Sequence, residues 1–325
     1  MFTKIFKSDY IIQLFFFIAI SILIWIKPFL SADISYLPTN APLYDIIKWF
    51  IEDGPFIKII ISFSLLLTQS LILKNILSSN ELAPKTSLLS AFLYFLMMST
   101  VGNFQSIQPL LFGNFFLILA LQVILTTYSK PESYEQIFNS TLLISLGSMF
   151  YLPIIFFVVF IWFVFLIFGL FKWREWIISI LGLITPYVFL FSYYFFTNTL
   201  NDKLNTYLLF FKNNTFNSQH FTYSNLVLFG IFGFFLVISA IFSLLNVAGK
   251  TIFYRKKNIV LIMFSLIAIL SLYYAKDYLV YHLCLLFIPF SYFFANYVMQ
   301  IKRIIISETI YLILFAAWLY TYLGF

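Results

Sequence analysis

Long apolar runs separated by short polar turns make up most of this chain. Six of them, residues 57–77, 109–128, 177–196, 225–245, 279–299 and 304–325, have about the 20 residues that a helix needs to cross a hydrocarbon core. Of the 325 residues, 62% are hydrophobic and 10% are charged, whereas about a quarter are charged in soluble domains. Because lipid offers the backbone no hydrogen-bond partners, the sequence predicts an all-α integral membrane protein.

Counted in order, the apolar runs predict a polytopic bundle of about eleven transmembrane helices in a single domain, residues 1–325. The run at 11–26 follows a short basic segment without a cleavage site, which predicts an uncleaved first span. The runs at 88–101 and 138–150 are too short to span alone, so we expect their turns to lie below the outer surface. The last span is predicted at 304–325.

The basic residues predict the orientation of these helices. In an eleven-span arrangement most lysines and all three arginines, Arg174, Arg255 and Arg303, fall in cytoplasmic turns, as the positive-inside rule requires. Merging residues 138–171 into one helix would place most of them outside. We therefore predict a bacterial inner-membrane protein with a cytoplasmic N-terminus and a periplasmic C-terminus. The net charge of +7 is explained by this orientation, so no nucleic-acid partner is predicted.

The first outer loop, residues 27–58, contains a predicted interfacial helix. Its apolar face consists of Leu43, Ile46, Ile47, Phe50 and Ile51. Asp45 and Lys48 lie on the opposite face, Trp49 lies near the boundary, and Glu52 and Asp53 end the helix. Pro42 suits a first helical position and Gly54-Pro55 a helix end. The pattern favours a short amphipathic helix that lies flat on the membrane rather than one that crosses it.

The arrangement of this loop and the hairpins after it, together with the stretches 113–128, 143–153, 173–176 and 182–194, resembles the GT-C superfamily of polyprenyl-phosphate-sugar glycosyltransferases. The same stretches resemble more closely an uncharacterised family of bacterial polytopic inner-membrane proteins of similar length and Phe content. The resemblance covers residues 1–200, a GT-C-like module, and leaves 201–325 as variable C-terminal helices. It implies sugar transfer on the periplasmic side, in an outward cavity beneath the first loop.

Such a reaction needs a base for the acceptor hydroxyl, and carboxylates of the outer loop are the candidates. The resemblance places the catalytic acid near Asp33, which has no evident helical partner. Asp45 is the second candidate, although a solvated polar face with local pairing is the favoured explanation for it. The superfamily often has a second acid in the next outer loop. Here that loop, residues 102–108, contains amides instead, and Asn103 and Gln105 are candidates for binding sugar hydroxyls.

The candidate phosphate-binding residues are Lys276, His282 and Lys58. Lys276 and His282 belong to a polar-aromatic group near the outer boundary, which also fits an interfacial belt. His282 lies inside an apolar run, where an ionisable side chain faces a cavity or makes buried hydrogen bonds. The superfamily's phosphate group is often arginine, and no arginine falls on the predicted outer side.

Two distant histidines, one cysteine and the lack of a glycine-rich phosphate loop predict no metal site and no cofactor. The expected partners are the lipid bilayer, a polyprenyl-phosphate sugar and other membrane proteins. A non-catalytic subunit or scaffold of a cell-envelope assembly is the alternative to an enzyme. A transporter is less favoured, because the predicted spans contain few ionisable groups.

Overall fold

The structure is a computed structural model, and the part of the chain that it describes is helical. The described residues are 10–30, 41–50, 54–84, 87–101, 107–129, 133–212, 223–247, 249–275 and 279–301, with short pieces between 308 and 319. The prediction of an all-α fold is confirmed for these residues. Most of the predicted last span, 304–325, lies outside them.

The described helices are numbered in chain order. They are α1 (Tyr10–Ile24), α2 (Ile26–Leu30), α3 (Pro42–Phe50), α4 (Pro55–Ser79), α5 (Leu89–Thr100), α6 (Pro109–Leu125), α7 (Tyr134–Phe150), α8 (Phe157–Phe168), α9 (Trp173–Phe196), α10 (Leu200–Lys212), α11 (Tyr223–Leu245), α12 (Ile252–Leu270), α13 (Leu279–Leu283) and α14 (Phe287–Gln300). Short 3₁₀ turns lie at Thr127–Ser129, Leu152–Phe156, Ser271–Tyr274 and Cys284–Leu286.

Within the described residues, five helical segments are long and apolar enough to cross a membrane. They are Phe56–Ser79, Trp173–Phe196, Leu226–Leu245, Ile252–Tyr274 and Leu279–Gln300. The prediction of about eleven spans is therefore wrong. Four further apolar helices have only 10–17 residues. At 1.5 Å per residue a 17-residue helix covers about 26 Å, less than the roughly 30 Å of a hydrocarbon core.

One of these short helices, α5, forms the centre of the bundle. All 12 of its residues are buried, and α1, α4 and α14 pack around it. The segment Leu279–Gln300 contains α14, and its most apolar 18 residues are 89% buried. Because neighbouring helices cover α5 on every side, it does not need to match the thickness of the lipid.

A buried polar network fixes the positions of α4, α5 and α6 relative to one another. The Tyr94 hydroxyl donates to Gln69 Oε1 over 2.7 Å, and Gln69 Nε2 donates to the Leu111 carbonyl over 2.7 Å. Asn114 Nδ2 lies 3.4 Å from the Tyr94 hydroxyl. These bonds join α4, α5 and α6 in a region where an unpaired polar group would be costly.

Helix α7 approaches both of its neighbours closely through glycines. A Cβ atom on Gly147 would lie 3.3 Å from the Gly113 carbonyl oxygen of α6. A Cβ atom on Gly182 of α9 would contact the Thr141 hydroxyl and lie 2.6 Å from the Phe138 carbonyl oxygen of α7. Small residues at such crossings allow helix backbones to meet in lipid. Helix α7 is thus held tightly between α6 and α9.

We predict that Gly182→Ala lowers the stability of the protein by about 1–3 kcal/mol, because the added methyl group forces α7 and α9 apart. The measurement is thermal unfolding of the purified protein in detergent. The control is Gly233→Ala in α11, where a Cβ atom would meet nothing within 4 Å. Equal melting temperatures for the two variants would contradict the close crossing.

Candidate functional site

The helix of the first loop, α3, packs onto the end of α7. Tyr44 is 2% exposed and belongs to a small apolar cluster with Ala41, Ile107 and Phe150. Its hydroxyl donates to the Ile107 carbonyl oxygen over 3.0 Å. Helix α3 therefore rests on the start of α6 and on the last turn of α7.

The helix at 42–50 was predicted, but its buried side differs from the predicted apolar face. Leu43 and Ile47 pack against protein, whereas Ile46 is 53% exposed. The predicted pattern treated every apolar residue as membrane-facing. It missed Tyr44, which is buried because its phenol reaches a backbone carbonyl. The side chain of Trp49, and all of Glu52 and Asp53, lie outside the described residues.

Asp45 lies one residue beyond this buried side, with its side chain exposed. Its carboxylate interacts electrostatically with the phenols of Tyr194, at the end of α9, and Tyr207, in α10. The two phenols are also hydrogen-bonded to each other. We refer to Asp45, Tyr187, Tyr194, Lys203 and Tyr207 as the Asp45 cluster.

Contacts with α7 and α9 position the aromatic members of the cluster. The Tyr187 hydroxyl lies 2.7 Å from Ser148 Oγ near the end of α7. The ring of Phe191 lies between those of Tyr187 and Tyr207, at 5.9 Å and 6.2 Å. Tyr187, Phe191 and Tyr194 are spaced i, i+4 and i+7 in α9, which brings them to one side of that helix. Lys203 Nζ lies 5.8 Å from the centre of the Tyr194 ring.

The cluster combines three kinds of chemical group at one end of the bundle. Burial, together with the neighbouring Tyr194 and Tyr187 phenols and the Asp45 carboxylate, raises the pKa of Tyr207. Tyr207 therefore stays protonated at physiological pH and donates to Tyr194, which leaves the hydroxyl proton of Tyr194 for a ligand. Asp45 can accept a proton from a hydroxyl group, and Lys203 can pair with an anion. The arrangement suits an oxygen-rich ligand with a negative charge.

His282 lies in a separate, fully buried position. Its Nδ1 is 3.1 Å from the Tyr151 hydroxyl, and its Nε2 is 2.8 Å from Ser271 Oγ. Tyr151 directly follows Phe150, so His282 lies near the same end of the bundle as α3. Both ring nitrogens have protein partners, and a phosphate could reach them only if one partner moved. The phosphate-binding role of His282 stays a prediction.

Of the remaining candidate site residues, only Lys58 lies within the described part of the chain. Lys58 is 4% exposed in the first turn of α4, where its amide donates to the Gly54 carbonyl over 3.2 Å. Asp33, Asn103, Gln105 and Lys276 lie outside the described residues, and so their roles stay predictions. The cavity beneath the first loop also stays a prediction.

The sequence reading missed the tyrosines of the Asp45 cluster. Tyr187, Phe191 and Tyr194 have the i, i+4, i+7 spacing of one helical face, which could have marked an aromatic stripe on α9. Nothing in the sequence linked that stripe to Asp45 or to Tyr207.

In the described part of the chain, no three His, Cys, Asp or Glu side chains lie close enough together to hold a metal ion.

Comparisons with protein-family profiles, with curated proteins and with solved structures gave no match to this chain.

We predict that Tyr44→Phe loosens α3, because the Ile107 carbonyl loses its donor. A loss of about 1 kcal/mol corresponds to about fivefold faster amide exchange in residues 42–50. Hydrogen–deuterium exchange with mass spectrometry measures this. Tyr193→Phe, at a 63% exposed position, is the control. Unchanged exchange in Tyr44→Phe would show that the phenol does not hold α3 in place.

We also predict that His282→Leu costs about 1–3 kcal/mol of stability, because the Tyr151 and Ser271 hydroxyls lose their hydrogen bonds to the imidazole ring. Ser271→Ala removes one of the two bonds. The double variant should lose less free energy of unfolding than the two single variants lose together, since His282 and Ser271 share a hydrogen bond. Additive losses in chemical unfolding would mean that the two side chains act independently.

Proposed function

We propose that this protein is a multi-pass membrane protein that transfers a sugar from a polyprenyl-phosphate donor on the periplasmic side of a bacterial inner membrane. The GT-C-like order of its loops supports the class of reaction. The exposed Asp45 carboxylate beside Tyr194, Tyr207 and Lys203 is the structural observation that favours it most.

The chemistry of the proposed transfer matches the groups of the Asp45 cluster. A carboxylate takes the proton of the acceptor hydroxyl while the hydroxyl oxygen attacks the anomeric carbon of the sugar. The bond between that carbon and the phosphate oxygen breaks, and the polyprenyl phosphate leaves with its electrons. The Lys203 ammonium and the Tyr194 hydroxyl are suited to stabilising the charge on the leaving phosphate.

Two carboxylates remain candidates for the base. The resemblance favours Asp33, and the geometry of the cluster favours Asp45. Both belong to the first outer loop, so they can be compared directly in single variants. Asn103, Gln105, Lys276 and Lys58 remain candidates for contacts to the sugar and the phosphate.

The second candidate function is that of a non-catalytic subunit of a cell-envelope assembly. In the segments Trp173–Phe196 and Leu226–Leu245, only 17% and 22% of the most apolar 18 residues are buried. Their wide apolar faces suit lipid or the helices of a partner protein. The lack of an acid in residues 102–108 favours this view as well.

The test uses the protein in lipid nanodiscs with a panel of polyprenyl-phosphate hexoses and measures the release of polyprenyl phosphate. We expect turnover of at least one donor. Replacing the base, by Asp33→Asn or by Asp45→Asn, should lower the rate about 10²–10⁴-fold. Glu135→Gln, an exposed carboxylate in the first turn of α7, is the control and should leave the rate unchanged.

Wild-type turnover in both aspartate variants, or no consumption of any donor, would overturn the enzymatic proposal. Stoichiometric copurification of a partner protein with an inactive wild-type chain would support the subunit function instead.

A further inference from the structure

A cavity of about 670 Å³ lies where three helix ends meet, far from the Asp45 cluster along α4. Its walls come from the end of α4 and the turn after it, from the start of α12, and from the end of α14. The polar lining consists of Ser78, Glu81, Lys250, Thr251, Tyr254, Asn296 and Gln300, and the apolar lining of Leu82, Ala83, Pro84 and Met299.

The position of the cavity places it at the level of lipid headgroups. The candidate spans Phe56–Ser79 and Leu279–Gln300 end beside it, and the candidate span Ile252–Tyr274 begins there. The ends of membrane-spanning helices lie at the boundary between hydrocarbon and water. A ligand in this cavity can therefore place an apolar part toward the lipid and a polar part toward the water.

Hydrogen bonds hold the wall between α4 and α14 in place. The Leu82 amide donates to the Leu77 carbonyl over 2.9 Å, which closes the end of α4. Asn296 Nδ2 donates to the Leu82 carbonyl over 3.2 Å. On the other side of the turn, Lys257 donates to Asn80 Oδ1. The wall of the cavity between α4 and α14 is therefore fixed by hydrogen bonds.

The charged residues that line the cavity are Lys250 and Glu81. The Glu81 carboxylate interacts with the buried Lys257 ammonium, which offsets its charge. Lys250 is exposed, and its Nζ lies 5.7 Å from the centre of the Tyr254 ring. Arg255 Nε donates to the Lys250 carbonyl over 3.0 Å, which fixes the turn that bears Lys250. The lining thus presents one ammonium group to a ligand.

The bonds behind Tyr254 indicate which way its hydroxyl proton points. Asn258 Oδ1 lies 2.9 Å from both the Ser243 and the Tyr292 hydroxyls, and its buried Nδ2 has no hydrogen-bond partner. The Tyr292 hydroxyl donates to the Tyr254 hydroxyl over 3.1 Å, so Tyr254 accepts this bond and keeps its own proton for a ligand in the cavity.

We propose that this cavity binds the phosphodiester of a membrane-lipid headgroup. The Lys250 ammonium and the Tyr254 hydroxyl donate to the phosphate oxygens, and Pro84 and Met299 contact the glycerol and the first carbons of the acyl chains. A soluble phosphate ester has the same anionic chemistry but lacks the apolar part that this wall would contact. The inference does not depend on the proposed transferase activity.

The test measures ligand binding to the full chain in detergent by native mass spectrometry. Three ligands distinguish a lipid headgroup from a soluble phosphate ester: phosphatidylglycerol, diacylglycerol with the same acyl chains, and glycerol 3-phosphate. We expect phosphatidylglycerol to bind at least about tenfold more tightly than diacylglycerol, as the loss of a charge-assisted hydrogen bond predicts. Binding of glycerol 3-phosphate as tightly as phosphatidylglycerol would support the phosphate site with a soluble ligand.

Two variants and a matched control test the site itself. Lys250→Gln should weaken phosphatidylglycerol binding about tenfold. Gly249 also lines the cavity, and Gly249→Leu should reduce the space in it without a backbone clash, because a Cβ atom there meets nothing within 4 Å. Lys256→Gln is the control, since Lys256 lies over the Tyr128 ring at 5.0 Å and does not line the cavity.

Three results would overturn the proposal. The first is diacylglycerol binding as tight as that of phosphatidylglycerol. The second is equal weakening by Lys250→Gln and Lys256→Gln, which would reveal only general attraction of basic residues to anionic lipid. The third is unchanged binding in Gly249→Leu with a normal melting temperature.

Discussion

The close approach of α7 to its two neighbours is the constraint on which the rest of the arrangement depends. Gly113 and Gly147 bring α6 and α7 together, and Gly182 brings α9 against the other side of α7. Because lipid provides little hydrophobic drive for helices to associate, such contacts rely on packing of small residues and on polar bonds. The end of α7 then provides Ser148 for Tyr187 and Phe150 for α3, so the Asp45 cluster is built on this helix.

Breaks in helices are the second organising feature. Helix α7 stops at Tyr151, α12 passes into a 3₁₀ turn at Ser271, and the His282 ring bonds to both residues. In a membrane, irregular backbone is tolerated where protein surrounds it. The His282 bonds bring these two irregular points together in the interior. The same end of the bundle holds α3, which links a buried polar centre to an exposed carboxylate.

The sequence predicted the helical fold and the existence of α3, since Pro42 and the amphipathic spacing are local signals. It did not predict that Tyr44 would be buried, because the pattern cannot distinguish a lipid surface from a protein surface. It overcounted the spans because hydropathy does not show that α5 is enclosed by other helices. The proximity of Asp45 to Tyr207 depends on how α3 and α10 meet around α9, and no local signal encodes such a contact. The roles of Asp33, Asn103, Gln105 and Lys276 stay predictions.

The central claim is that Asp45 and Lys250 lie near opposite ends of α4, with Asp45 on the outer side of the membrane. Both side chains are exposed, so each position can be tested by an impermeant thiol reagent in intact cells, in a Cys284→Ala background. The account predicts that Asp45→Cys is labelled from outside and that Lys250→Cys is labelled only after the membrane is permeabilised. Labelling of both from the same side, or the reverse order, would contradict it.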